Sequence, residues 1–421
     1  MHKSMDADAL VIGAGPAGAS TAILLKLAGW RVILVEQHIY PRQKVCGECL
    51  SAGSLALLDQ LCVGGAVRDR AGPELTQVGW MSGASTLIAP LPPCREGPYR
   101  YGRAVGRDQL DAILVNRARE LDVTLIQPAK VRSVSGEIGD FECEIQVSSV
   151  EPAQPGHSSR LITRHVPVVI DAHGSWERGP LDGPRIGMHV PRRGSDLFGF
   201  KASFVDATLA HGLLPVLSFP GGYGGLVVAE NGRLTLAGCI RRDTLAALRA
   251  QLPGASAGAA FEAYLRTSCR GVREALGVAQ RSQPWLSVGP LRTQARVGKP
   301  YRLFSVGNAA GESHPLIGEG MNMALQSAFL LASHLTEQPA HAIDVNRALE
   351  IHRTYGAEWR SAFEPRLRLA AALAHIAMRP ALSRTVTRLL RTWPQLLTAA
   401  AHLAGKARSP VGQSLLLEGI P

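Results

Sequence analysis

The sequence predicts an α/β fold: a parallel sheet first, a separate antiparallel sheet next, and a helical C-terminal region last. Three observations carry this. The apolar run Ala9-Leu10-Val11-Ile12 enters a glycine turn, Gly13-Ala14-Gly15-Pro16-Ala17-Gly18. A helix-like segment follows, then a second apolar run, Val32-Ile33-Leu34-Val35, which ends in Glu36. From about residue 181 to 290 the pattern shifts to short strands and turn residues, and from Ile343 onward the apolar spacing is helical.

Each part of the glycine turn has a physical reason. Gly13 permits the sharp turn, and Gly15 lets the backbone approach a pyrophosphate with no side chain in the way. Gly18 lets the helix pack closely on the strands, and the helix start around Ala17 offers free N–H groups and a partial positive charge to phosphate. Glu36 lies about 20 residues on, where a carboxylate accepts hydrogen bonds from a ribose diol. This is the Rossmann-like pattern of a dinucleotide site, with NAD and FAD equally open from the turn alone.

The chain has 421 residues, 46% hydrophobic, enough for more than one core. Its formal charge is +11, and 38 of its 45 basic residues are arginine. Such a balance suits either a solvated arginine-rich surface or attraction to phosphates, acyl carriers or anionic lipid. No Arg/Gly-rich or zinc-finger pattern occurs, which argues against nucleic acid as a partner. The seven cysteines are scattered and odd in number, and the first strand begins by about residue 8 with no room for a secretion signal. Reduced thiols and a cytoplasmic location are expected. Cys46 and Cys49 form a C-x-x-C, but no second pair completes a zinc site, so no metal is expected. No apolar run is long enough to span a bilayer.

Residues 37–51 read as a loop and 54–61 as a helix. Residues 103–123 read as a helix with Leu110, Ile113, Leu114, Ala118 and Leu121 on one face. Strands are expected at 123–126, 131–134 and 143–147, a hairpin loop at 151–159, and a buried strand at 166–170 running into Asp171-Ala172-His173-Gly174. In the β-rich region, 200–204, 216–219, 225–229 and 234–240 are strand candidates, with Asn231-Gly232 as a hairpin turn and a helix at 257–276. Leu303 to Val306 returns as a buried strand, followed by a loop and a helix at 321–335, so the nucleotide domain is discontinuous. In the tail, residues 360–408 hold nine Arg or Lys and one acid, Glu364. Leu382, Val386, Leu389 and Trp393 form an apolar stripe, and Arg384, Arg388 and Arg391 share another face. Either the stripe packs on the core beneath a solvated surface, or these helices dock on a membrane or carrier protein.

Two further motifs join the glycine turn. One is Arg103-x-Val105-x-Arg107-Asp108-x-Leu110-Asp111; the other is Gly307-Asn308-Ala309-Ala310 followed by Pro315-x-x-Gly318-Glu319-Gly320-x-Asn322. In this order they resemble the flavoprotein superfamily of the para-hydroxybenzoate hydroxylase fold, over about residues 8–335. The loop Pro41-Arg42-x-Lys44-Val45-Cys46-Gly47-Glu48-x-Leu50-Ser51 is most similar to the geranylgeranyl-reductase-like branch, related to flavin monooxygenases and flavin-dependent halogenases. The resemblance implies FAD as cofactor. Arg107 would contact the pyrophosphate, Asn308 the ribityl chain, and Gly318, Gly320, Met321 and Asn322 the flavin pyrimidine. Cys46 and Gly47 would lie against the flavin ring. The halogenase stretch G-W-x-W-x-I-P is replaced by Phe219-Pro220-Gly221-Gly222-Tyr223-Gly224-Gly225-Leu226, without tryptophan, which counts against halogenation.

The implied architecture is a Rossmann-like FAD-binding domain from 1–75, 101–180 and 296–338, a substrate domain from 76–100 and 181–295, and a helical region at 339–421. Candidate acid–base residues are His314, Glu48, Tyr223 and His173; Cys46, of the C-x-x-C, packs beside the flavin or does redox or nucleophilic work; Tyr223 and Phe219 are candidate substrate contacts. The expected activity is monooxygenation of a lipophilic or aromatic substrate, small or carrier-bound, in secondary or lipid metabolism. The alternatives are reduction of an isoprenoid or enone double bond, and flavin binding without turnover. NAD(P)H or a partner flavin reductase would supply electrons. His173 stands where hydroxylases of this fold carry a glycine-paired acid, and no second G-x-G-x-x-G is present.

Overall fold

The structure, a computed structural model, describes residues 5–148, 159–175, 192–297 and 303–405. The expected loop at 151–159 lies outside the described residues except for Ser159, as do Lys406, Arg408 and Pro410 of the tail.

The parallel sheet has five strands, in the order Phe304–Ser305, Val168–Asp171, Ala9–Ile12, Val32–Val35, Thr124–Ile126. Every residue of Ala9–Ile12 and Val32–Val35 is buried, which is why these runs are continuously apolar and do not alternate. The helices Pro16–Leu27, Arg107–Glu120 and Gly320–Leu335 pack in series on the sheet. The strand order reverses at Ala9–Ile12, so a crevice opens at its carboxyl end between Gly13 and Ala172. The segment expected to be one helix at 103–123 is helical only over Arg107–Glu120, because Arg103–Ala104 pairs with Cys49–Leu50.

A larger sheet runs in the order Gln280–Arg281, Leu197–Val205, Leu234–Arg241, Gly222–Val228, Leu213–Phe219, Gln77–Ser82, Ser85–Pro90, with Leu286–Val288 beside Leu197–Val205. It is antiparallel except where Leu213–Phe219 meets Gln77–Ser82 in parallel. Asn231 and Gly232 turn with φ of 54° and 72°, as a hairpin of this kind requires. The helix expected at 257–276 breaks into Ala257–Ser268 and Arg270–Ala275. The buried Cys269 between them is pulled into extended backbone by a bridge to Gly83. A three-stranded sheet, Ala129–Glu137, Asp140–Val147 and Arg160–Val166, flanks the parallel one.

The C-terminal helices are Val345–Ala377, Pro380–Thr392 and Gln395–Leu403, with Pro380 and Pro394 at the junctions. The reading in which the stripe Leu382, Val386, Leu389 and Trp393 packs on the core holds for Val386 and is corrected for the other three. Leu382, Leu389 and Trp393 are 40%, 41% and 49% exposed, while the face turned inward carries Ser383, Thr387 and Leu390. Hydrogen bonding explains the choice. The buried Trp80 N–H donates to Thr387 Oγ1 at 2.9 Å, and Ser383 Oγ lies 2.6 Å from Ser218 Oγ and 3.0 Å from Ser82 Oγ. These sheet groups, buried without partners, would each cost about 1–3 kcal/mol.

Candidate active site

A cavity of about 640 Å³ runs from the crevice to the C-terminal helices. At the crevice end Gly13, Gly15 and Ala17 line it. Gly18 does not, and its place is structural: a Cβ there would stand 1.9 Å from the Gly13 carbonyl oxygen. At Gly15 a Cβ would meet only the tips of two guanidinium groups, Arg42 Nη2 at 3.6 Å and Arg107 Nη2 at 3.7 Å. Gly15 thus leaves an open floor at the start of a helix, beneath two cations.

Arg107 is buried and donates to both oxygens of Asp111 at 2.8 Å. Burial opposes its charge, but Asp111 more than compensates and holds the guanidinium above its ordinary pKa. Arg42 lies 3.1 Å from Glu36 and 3.6 Å from Asp111. Glu36 lines the cavity and accepts hydrogen bonds from the Ala14 and His38 N–H groups, each at 2.8 Å. Lys44 also lines the cavity; burial and then the charges of Arg107 and Arg42 lower its pKa to about 8. Three cations crowd around two carboxylates on an open floor, so the site favours an added anion, and a pyrophosphate fits that donor set. An anion placed there would raise the Lys44 pKa again. Binding is therefore coupled to proton uptake as Lys44 begins to deprotonate: FAD affinity is expected to hold below about pH 8 and to fall above it. Flavin fluorescence titrations from about pH 6 to about pH 10 check this, and Lys44→Met is expected to remove the dependence.

Gly307, Asn308, Gly318, Gly320 and Met321 also line the cavity. Asn308 Nδ2 donates to Ser175 Oγ at 2.6 Å. Gly318 adopts a φ of 60°, and Gly320, with no atom within 4 Å of a would-be Cβ, opens the helix Gly320–Leu335 toward the cavity. Asn322 is corrected: it is fully buried and not part of the lining. Its Oδ1 accepts from Ser51 N–H at 2.8 Å and Ser54 Oγ at 2.7 Å, tying the cysteine loop to this helix.

Cys46, Gly47, Glu48 and Cys49 all line the cavity; neither cysteine is in a disulfide, and the Cys49 thiol donates to the Gly47 carbonyl at 3.2 Å. Glu48 has a left-handed backbone, φ 58°, and a fully buried side chain. Its Oε1 pairs with Lys201 Nζ, and its Oε2 accepts from Thr235 Oγ1 at 2.6 Å. Both oxygens are committed, so Glu48 anchors the loop and is not a free acid. Phe219 is corrected too. Along Leu213–Phe219, Leu214 and Val216 face the cavity while Leu213, Leu217 and Phe219 face the opposite core, because strand side chains alternate. Phe219 packs edge-on against Phe261 and Tyr264, with centroids 5.9 Å apart.

Tyr223 faces the cavity, and His314 stands behind it. His314 Nδ1 lies 2.9 Å from the Tyr223 hydroxyl and Nε2 3.1 Å from Thr293 Oγ1. Burial lowers the imidazole pKa to about 4, and burial raises the Tyr223 phenol. A neutral His314 with both nitrogens engaged orients the Tyr223 hydroxyl and does not reach a substrate itself. Sequence reasoning assigned no role to Arg42, Lys44, Lys201, Thr235 or Glu312. Arg42 and Lys44 stood in the quoted loop motif. Lys201 and Thr235 meet Glu48 only through strand register, which the sequence does not display. Glu312 lies in the cavity wall, and burial raises its pKa.

Residues 6–150 match the family model described as FAD binding domain. Over 134 residues the chain is 30% identical to menaquinone reductase of Mycobacterium tuberculosis, covering 32% of this chain and 32% of that protein. The match thus spans about a third of that relative's length. A phenol 2-monooxygenase of Aspergillus fumigatus is 24% identical over 342 residues, 78% of this chain and 54% of that protein. Among solved structures, the myxobacterial chondrochloren halogenase CndH superposes with a TM-score of 0.72 at 19% identity, covering 97% of this chain and 92% of that one. The anion-favouring floor at Gly15, the crevice at the strand-order reversal and these likenesses agree: the chain carries an FAD binding domain over residues 6–150, within a fold that it shares along its length with an FAD-dependent halogenase.

Proposed function

We propose that the protein is an FAD-dependent monooxygenase acting on a lipophilic or aromatic substrate. The observation that carries this reading is the continuity of one cavity. The floor beneath Arg42 and Arg107 opens, past Cys46-Gly47, into an apolar chamber walled by Val78, Trp80, Leu91, Leu214, Leu390 and Leu397. Bound at the floor, FAD would supply two-electron chemistry, including activation of oxygen once reduced. Gly15, Arg42, Lys44 and Arg107 would hold its pyrophosphate and Glu36 its ribose. The N-terminus of Gly320–Leu335 would favour negative charge on the ring. The chain's own groups then exclude water with the apolar wall and offer one hydroxyl, that of Tyr223, oriented by His314, to hydrogen-bond a substrate oxygen. The likeness to phenol 2-monooxygenase supports oxygen transfer. NAD(P)H or a partner reductase would supply the electrons.

A second reading has specific support: the cysteine loop and the likeness to menaquinone reductase favour hydride transfer to an isoprenoid or enone double bond. One experiment separates the two. The reduced, FAD-loaded protein is given a panel of phenols, quinones and isoprenoids under ¹⁸O₂ and, separately, under argon. One ¹⁸O atom in the product and no turnover under argon is the expected result. Stoichiometric reduction of the substrate under argon, with no ¹⁸O incorporated in air, would overturn oxygen transfer in favour of reduction.

A further inference from the structure

The helices Pro380–Thr392 and Gln395–Leu403 wall the chamber on one side and expose apolar side chains on the other. Leu382, Leu389 and Trp393 recur at helical spacing, and Leu396 and Leu403 repeat on the next helix at 43% and 54% exposure. Five of the twelve large apolar side chains exposed among the described residues therefore lie on these two helices. Scattered single exposures are ordinary; a cluster on adjacent elements marks a contact surface.

The charge of the same elements is one-signed. Arg379, Arg384, Arg388 and Arg391 are exposed along the first helix, and no Asp or Glu occurs between residues 365 and 405 or between 77 and 90. A second copy of this chain on the face would bring its arginines against these. An acidic carrier protein would meet the charge but leave most of the leucines without apolar partners. Leucines with a tryptophan on one side of a short helix, and arginines on another, suit the boundary between headgroups and acyl chains. The inner sides of the helices add a second observation. Val386, Leu390, Leu397, Ala400 and Ala401 line the chamber, and Leu396 belongs to both the lining and the exposed face.

We infer that these two helices seat the protein on an anionic lipid surface, and that a lipophilic substrate passes from the bilayer beside Leu396 into the chamber. Leu382, Leu389, Trp393 and Leu403 enter the acyl boundary, while the arginines extend to lipid phosphates. The entry route rests on the lipophilic-substrate reading above; the docking does not.

The test uses the full-length, FAD-loaded protein and needs no substrate. Sedimentation with vesicles of phosphatidylglycerol in phosphatidylcholine is expected to carry the protein down, and phosphatidylcholine alone to carry far less. The double variant Leu389→Glu/Trp393→Glu is expected to lose at least tenfold in vesicle affinity, with flavin content and circular dichroism unchanged. Arg384→Gln/Arg388→Gln is expected to lose the preference for anionic lipid and its sensitivity to salt. Absence of wild-type binding, or equal binding by the Leu389/Trp393 variant, overturns the docking. So does wild-type self-association that this variant abolishes without any vesicle binding, and so does appearance of vesicle binding only in a chain ending at Gly405, which would assign the face to the C-terminal segment. Docking on vesicles with turnover only of water-soluble substrates leaves the membrane surface standing and overturns the entry route.

Discussion

Gly15→Val is expected to purify folded and colourless. At this position a side chain meets no backbone: the nearest atoms are the flexible ends of Arg42 and Arg107, 3.6 and 3.7 Å from a Cβ. The fold can therefore accept the branched residue, but the residue fills the floor on which the pyrophosphate would rest. Flavin content, read from the absorbance of the purified protein after heat release, should fall from stoichiometric to below detection. The midpoint of thermal unfolding should match that of the wild-type apoprotein. Gly18→Ala is the contrast. Its Cβ would stand 1.9 Å from the Gly13 carbonyl oxygen, so that variant should lose flavin by losing the strand–turn–helix packing itself. A Gly15→Val protein that retains a full complement of FAD would remove the pyrophosphate from this floor.

The second large effect belongs to Glu48. Glu48→Ala leaves Lys201, 1% exposed, without the one carboxylate that neutralises it, and should destabilise the protein by about 3–5 kcal/mol. Lys201→Met should cost less, because Glu48 keeps the Thr235 hydroxyl at 2.6 Å and Arg233 at 3.7 Å. Joining the two as Glu48→Gln/Lys201→Met removes both charges and should recover most of the loss. Urea unfolding of the four proteins decides the matter; equal midpoints for Glu48→Ala and wild type would show that the pair carries no stability. Because alanine at a φ of 58° is no better placed than glutamate, the comparison isolates the charge from the backbone.

The parallel sheet and the crevice were legible because its central strands Ala9–Ile12 and Val32–Val35 are buried on both faces and so appear as unbroken apolar runs, and because glycine spacing marks the turn. The return of the chain to this sheet was legible in the apolar run Leu303 to Val306, where Phe304–Ser305 pairs with Val168–Asp171. What lay hidden depends on pairing between distant strands. Phe219 and Tyr223 lie close in sequence, yet Phe219 faces the far core while Tyr223 faces the cavity; only the register of the sheet assigns the faces. His314 carried the chemical identity of a catalyst, but its neighbours Tyr223 and Thr293 come from elsewhere and occupy both ring nitrogens. For the stripe Leu382 to Trp393 the sequence left both the inward and the outward reading open; Val386 packs inward, while Leu382, Leu389 and Trp393 lie outside. Helical periodicity shows that a face exists, and the hydroxyls demanded by Trp80 and Ser218 decide which face is buried.

The hydrogen bonds from Ser51 and Ser54 to Asn322 join segments 271 and 268 residues apart. During synthesis the glycine turn leaves the ribosome first, yet the helix that completes the cradle, Gly320–Leu335, emerges only after both sheets. A nascent chain holding the complete turn and Arg107 still lacks one wall of its flavin site. Flavin capture is therefore expected to be a late event that reports assembly of the chain into its last third, and a yellow colour in a fragment ending before residue 320 is not expected.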